Sequence, residues 1–183
     1  TGLEAICTHH EQAAAFAAMS YAQYNDNLGA CLVSTGVGAT NALTALLCAW
    51  QDSVPCIFIS GQNLLNETTR HTKIPIRTYG QQEADIIKLA EPISKYAVMI
   101  EKACEIAYEV EKAIYLAQNG RKGPVWIDIP VDVQNMRVEP SEMRRFIPDN
   151  IESQASKVDF SYLTESITNS KRPSVLIGSG IRS

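Results

Sequence analysis

The sequence has no basic block longer than Met143-Arg144-Arg145, and its formal net charge is -4. A protein whose main partner is nucleic acid carries clustered cations to neutralise phosphates, so that partner is set aside. No apolar run approaches the roughly 20 residues that a membrane helix requires, and no stretch reads as a signal peptide. No C-x-x-C pair occurs, and the five cysteines (Cys7, Cys31, Cys48, Cys56 and Cys104) are odd in number and widely spaced. Cys7, Cys31 and Cys56 fall inside runs that read as buried strands. That predicts reduced core thiols, with neither disulfides nor a zinc site, in a cytoplasmic protein with no membrane association. Internal repeats and low-complexity tracts are also missing.

What is present suits an ordinary globular core. At 183 residues, 45% apolar and 20% charged, the chain is long enough for one domain, or for one domain and the start of a second. It opens at Thr1-Gly2-Leu3 almost directly on a strand-like Glu4–Cys7 and stops abruptly at Ser183, so it reads as a fragment of a longer multidomain chain. In between, strands and helices alternate. Helices are predicted from Glu11 to Tyr24, from the glycine turn near Asn41 to Trp50, from Glu83 to Leu89 and from Ala103 to Gln118. Strands are predicted at Ala30–Ser34, Cys56–Ser60 and Val125–Ile129, the first as a continuous apolar run covered on both faces. This rhythm predicts an α/β fold with a doubly wound, mainly parallel sheet and helices on both faces. Residues 61–80 read as polar and irregular, and Arg137–Asp159 as a surface linker. A short helix over Phe160–Asn169 and a new strand with a glycine turn over Lys171–Gly178 follow.

Two segments carry candidate chemistry. His10-Glu11-Gln12 leads an Ala-rich helix, and a carboxylate there can be pressed into low-dielectric surroundings and made to trade a proton. Thr8 and Glu11 also stand in the S/T-x-x-E spacing of a capping box, which would leave Glu11 only a backbone partner. The second segment, Thr35-Gly36-Val37-Gly38, is a strand-to-helix turn that lets backbone approach a ligand closely. It lacks the G-K-[ST] of a P-loop. It also lacks the third small residue (Asn41 stands there) and the acidic strand end of a dinucleotide fingerprint.

Taken in order, further segments join these two: Asp52-Ser53-Val54-Pro55, Ile59-Ser60-Gly61-Gln62, Gln81-Gln82-Glu83, Pro92-Ile93-Ser94-Lys95 and Gly123–Gln134. The series resembles the pyrimidine-binding domain of thiamine-diphosphate enzymes, acetolactate synthase-like branch, over roughly residues 4 to 134. The resemblance implies a pyrimidine-binding domain over 1–136 lacking its N-terminal start, a linker over 137–170 and the beginning of a central domain over 171–183.

It also implies chemistry. In the family, a glutamate at the position of Glu11 hydrogen-bonds the aminopyrimidine ring and favours the imino tautomer that deprotonates the thiazolium. The reaction implied is decarboxylation and carboligation of a 2-oxo acid, with thiamine diphosphate as electron sink. Glu11 and Gln82 are the implied catalytic residues. Thr35, Gly36, Val37, Gly38 and Asn41 join Glu11 against the cofactor, and Gln81, Gln82 and His10 face the substrate. Val37 stands where acetolactate synthases usually have proline, and Gln81 where they have an aromatic residue. No Gly-Asp-Gly occurs, so the Mg2+ and diphosphate ligands are expected outside the chain, and FAD stays undecided. The family's sites lie between subunits, which implies a homo-oligomer, at least a dimer, with this stretch holding half a site. A 2-oxo acid decarboxylase and a split, non-catalytic dimerising module are the alternatives.

Overall fold

Four parallel strands carry the computed structural model, which describes residues 2–72, 74–148, 159–178 and 180. In chain order the elements are α1 (Glu11–Asn25), β1 (Gly29–Val33), α2 (Val37–Asn41), α3 (Leu43–Gln51), β2 (Cys56–Gln62), α4 (Ile86–Ala90), β3 (Tyr96–Met99), α5 (Ile106–Gln118), β4 (Val125–Pro130), α6 (Val131–Gln134) and α7 (Ser161–Asn169). The sheet order is β1-β2-β4-β3, so β4 is inserted between β2 and the β3 edge.

Register fixes the two faces. Cys31, Phe58, Trp126 and Ala97 lie side by side on one face, and Leu32, Ile59, Ile127 and Val98 on the other. On the first face α1 buries Ala15, Ala18, Met19 and Ala22, a helical stripe whose three alanines let it lie close to β1. α3 and α4 complete that layer, over stacked Phe58 and Trp126 rings with centroids 5.4 Å apart. On the second face α5 seats Ile106, Val110, Ala113, Ile114 and Ala117 against Ile57, Val125 and Ile127. Helices therefore cover both faces of the doubly wound sheet.

The structure departs from the sequence expectations in several places. Glu4–Cys7 is not a strand: it is exposed, with no strand among the described residues paired to it to complete its backbone hydrogen bonds, and Cys7 is exposed with it. Only Cys31 and Cys56 are buried core thiols, and burial raises their pKa to about 11 and about 12. β1 is covered on one face only, for α5 does not reach it, and Leu32 is 75% exposed. The second predicted helix breaks at Ala42 into α2 and α3. Residues 61 and 62 extend β2, and the helix predicted from Glu83 starts only at Ile86. β3 is an unpredicted strand. Residues 173–178 form no strand, and Leu176 is 99% exposed.

Part of the predicted linker is held against the domain. Phe146 packs on Tyr108 and Tyr115 of α5, its N–H donates to Glu111 (2.9 Å), and Arg145 pairs with the same carboxylate.

Candidate functional site

The carboxyl ends of β1, β2 and β4 converge on one patch, where an open α/β sheet conventionally holds its ligands. Glu11 enters it as the first residue of α1. The helix cap is His10, not Thr8: the His10 Nδ1 accepts from the Gln12 N–H at 3.1 Å, while Thr8 Oγ1 donates to the His10 carbonyl. The capping box therefore does not form, and Glu11 is free of that duty. Its Oε2 accepts from Asn41 Nδ2 at 3.0 Å.

That bond and the Glu11 backbone N–H hold the carboxyl below the usual carboxylate range, with a smaller contribution from His10. Glu11 is half-buried, so the dry surroundings expected of it are not supplied by this chain. It rests as a carboxylate.

The turn beneath it is built by close approach. A Cβ on Gly38 would lie 2.2 Å from Ser34 Oγ and 3.2 Å from Glu11 Oε1, so glycine keeps that oxygen uncrowded. Gly36 has φ +55°, and a Cβ there would sit 1.3 Å from the Gln82 carbonyl oxygen. The Thr35–Gly38 turn and the Gln81–Gln82 turn are thus in backbone contact. Gln82 itself has φ +56°, the left-handed region that non-glycine residues rarely occupy, and it stands in a turn ahead of α4. Glu83, buried, accepts from Thr69 N (2.6 Å), Thr69 Oγ1 (2.7 Å) and Tyr79 N (2.9 Å), which fixes the preceding loop.

Sequence reasoning missed the layer below. Asp128 is fully buried, takes the Ser60 Oγ hydrogen bond at 2.5 Å and the Gln62 Nε2 bond at 3.0 Å, and burial raises its pKa to about 6. Trp126 Nε1 donates to Ser60 Oγ at 2.9 Å, completing the chain. The available signal was polar residues set into apolar strands side by side, at Ser60, Gln62 and Asp128.

The predicted residues therefore divide. Glu11, Asn41, Gly38, Gly36, Thr35 and Gln82 lie in one linked patch, Gln81 and Val37 are exposed at its rim, and the His10 ring is engaged at the start of α1. Asn41 contacts the Glu11 carboxylate, which makes it an orienting partner. The patch fits an aminopyrimidine: an ionised carboxylate whose Oε1 lies over a glycine, an exposed Val37 side chain, and backbone held at close approach. Among the described residues no group of three or more His, Cys, Asp or Glu could hold a metal ion, and no helix is long and apolar enough to cross a membrane.

The sequence profile of the family described as thiamine pyrophosphate enzyme, N-terminal TPP binding domain, matches residues 1–89. The chain is 41% identical over 134 residues to the acetolactate synthase large subunit of Haemophilus influenzae, covering 73% of this chain and 22% of that protein. It is 35% identical over 182 residues to the acetolactate synthase large subunit of Lactococcus lactis, covering 98% and 30% respectively. A probable acetolactate synthase large subunit of Methanococcus aeolicus is 34% identical over 185 residues, covering 96% and 29%. The chain thus spans less than a third of the length of these relatives. It carries the N-terminal TPP-binding domain of a thiamine pyrophosphate enzyme, of the acetolactate synthase-like kind.

Proposed function

We propose that the whole protein catalyses thiamine-diphosphate-dependent decarboxylation and carboligation of a 2-oxo acid, in the manner its relatives' name describes, and that the pyrimidine-binding domain over residues 1–136 supplies the aminopyrimidine half of the site. When bound, the cofactor supplies an electron sink for loss of CO2 from the 2-oxo acid. The residues of this chain supply orientation and a proton site. Glu11 Oε1 is the open acceptor for a ring N–H, and Asn41 holds the other oxygen so that the carboxylate keeps one direction. Gly38 leaves room for the ring, and Thr35–Gly36 presents backbone beside it. Gln82, held in a strained turn against Gly36, faces the substrate side, with Gln81 at the rim.

The remaining half lies on a partner subunit in this reading, which makes the protein at least a homodimer. Mg2+ and the diphosphate are held there, on residues outside this chain, and covering by the partner dries Glu11. The unpaired cysteines support a reducing, cytoplasmic setting. Polar Gln81 at the substrate rim supports one other reading, a 2-oxo acid decarboxylase with the same cofactor. Pyruvate turnover by the full-length protein separates the two, acetolactate for one and acetaldehyde for the other.

The observation that carries the proposal is the Glu11–Asn41 pair over Gly38. Glu11→Gln in the full-length protein should preserve fold and assembly and slow turnover by about 10²–10⁴-fold, the usual range for a lost acid–base group. Turnover within a few-fold of wild type would reduce Glu11 to a helix residue.

A further inference from the structure

We propose that Gln62, oriented by the buried Asp128 carboxylate, is a positioning residue that fixes the spacing between the Thr35–Gly38 turn and the Gln81–Ala84 turn. The inference rests on the reading that these turns are the cofactor and substrate sides of one site.

Gln62 ends β2 and is 4% exposed, yet every hydrogen-bonding position of its amide is used. Oε1 accepts from Thr35 Oγ1 (2.9 Å), Asn63 N (3.0 Å) and Asn63 Nδ2 (3.2 Å). Nε2 donates to Asp128 Oδ2 (3.0 Å) and to the Ala84 carbonyl (3.1 Å). The amide has a single sense: reversed, its oxygen would face a carboxylate and a carbonyl, and its NH2 would face the Asn63 N–H. Asp128 cannot swing away to release it. Its other oxygen is held by Ser60, which is itself held by Trp126, in a site without water access.

Both site turns hang from this amide. Thr35 begins the turn under Glu11, and Ala84 closes the turn that carries Gln81 and Gln82. Asn63, bonded to the same Oε1, donates from Nδ2 to the Gln81 carbonyl at 3.1 Å. Among the described residues, Gln62 is the side chain that hydrogen-bonds both turns. The backbones meet without slack, since Gly36 has no room for a Cβ beside the Gln82 carbonyl. Gln82 is also held at φ +56°, and such strain persists only where the surroundings over-determine it. Contact at Gly36 sets how near the turns come, and Gln62 keeps them from parting.

The test uses the full-length enzyme with thiamine diphosphate, Mg2+ and pyruvate. Gln62→Leu should raise both the KM for pyruvate and the cofactor dissociation constant, measured by calorimetry on apoenzyme, by about tenfold each, the effect of losing one net hydrogen bond per turn. A purely structural role would lower the thermal midpoint and leave the parameters of the folded fraction alone. The deciding readout is a double-mutant cycle of Thr35→Val with Gln82→Ala on kcat/KM: the two should couple in the native background and become additive when Gln62→Leu is added. Additivity in both backgrounds, or Gln62→Leu parameters within twofold of wild type, overturns the proposal. Should Gln62→Leu fail to fold, Thr35→Val alone decides: it must raise the pyruvate KM although Thr35 lies on the cofactor side, and an unchanged KM overturns the idea. Glu11→Gln in parallel separates the premises. A crippled Glu11→Gln beside a neutral Gln62→Leu sinks only the role of Gln62, whereas a fully active Glu11→Gln sinks the reading of the site.

Discussion

Gly36→Ala tests how tightly the two turns are locked. The new methyl would start 1.3 Å from the Gln82 oxygen and 2.5 Å from its carbonyl carbon. An ordinary carbon–oxygen contact is about 3.3 Å, so one turn must move by about 2 Å. Alanine must also adopt φ +55° and ψ -112°, which costs about 1–3 kcal/mol, with overpacking adding about as much again. The displaced turn further strains the bonds to the Gln81 and Ala84 carbonyls, each worth about 1 kcal/mol net. A destabilisation near 5 kcal/mol follows, comparable to the whole stability of a modest domain at about 5–15 kcal/mol.

Gly120→Ala is the matched control. Gly120 has φ +65° but nothing within 4 Å of its would-be Cβ, so only the backbone cost of about 1 kcal/mol applies. Thermal midpoints and soluble yields of the two full-length variants give the comparison. Gly36→Ala should be insoluble, or lower by many degrees and unable to bind cofactor, while Gly120→Ala falls by only a few degrees. Equal, small shifts for both would refute the close packing of Gly36 on Gln82.

Two further outcomes follow from the charged groups. Asn41→Ala removes the leading cause of the lowered Glu11 pKa, so the pKa should rise toward the ordinary carboxylate value and carry the acid limb of the pH–rate profile upward with it. Because a depressed carboxylate pKa stabilises the fold above its unfolded value and loses that benefit as pH falls through the folded value, the variant should be less stable than wild type near neutrality by an amount that shrinks toward zero as pH falls to about 3; an unmoved carboxyl resonance in a 13C titration would count against the Asn41 bond. Asp128 has the opposite sign: its raised pKa favours the protonated native state below 3.8, and that benefit is lost as pH rises through about 6. Asp128→Asn should therefore gain on wild type between pH 4 and 7, by up to about 3 kcal/mol in unfolding free energy, and a constant difference across that range would show that Asp128 does not titrate there.

Legibility differed by element for physical reasons. α1, α5, β1, β2 and β4 announce themselves through helical stripes of alanine and valine or through unbroken apolar runs closed by Gly, Asn or Pro. β3 has four residues, three of them half-buried, and gives no alternation strong enough to see. Nothing at Ala42 marks the break between α2 and α3, since alanine is the best helix former and the interruption comes from tertiary packing. At the site, Glu11 and the glycine turn were readable from motif order. The cap was not: His10 Nδ1 displaced the expected Thr8, a choice made by side-chain geometry. Partners distant in sequence were also invisible, Asn41 thirty positions from Glu11 and Asp128 sixty-six from Gln62.

Trp126 also makes the polar layer optically addressable. Its indole N–H is bonded to the hydroxyl that Asp128 holds, and its ring lies within 5° of parallel to Phe58, so its absorption and emission sense the charge on that carboxylate. The other of the two tryptophans, Trp50, is 39% exposed and open to aqueous quenchers that cannot reach Trp126. Replacing Trp50 with phenylalanine would leave in this domain a single indole seated one hydroxyl away from the group that anchors Gln62, a native probe that needs no label.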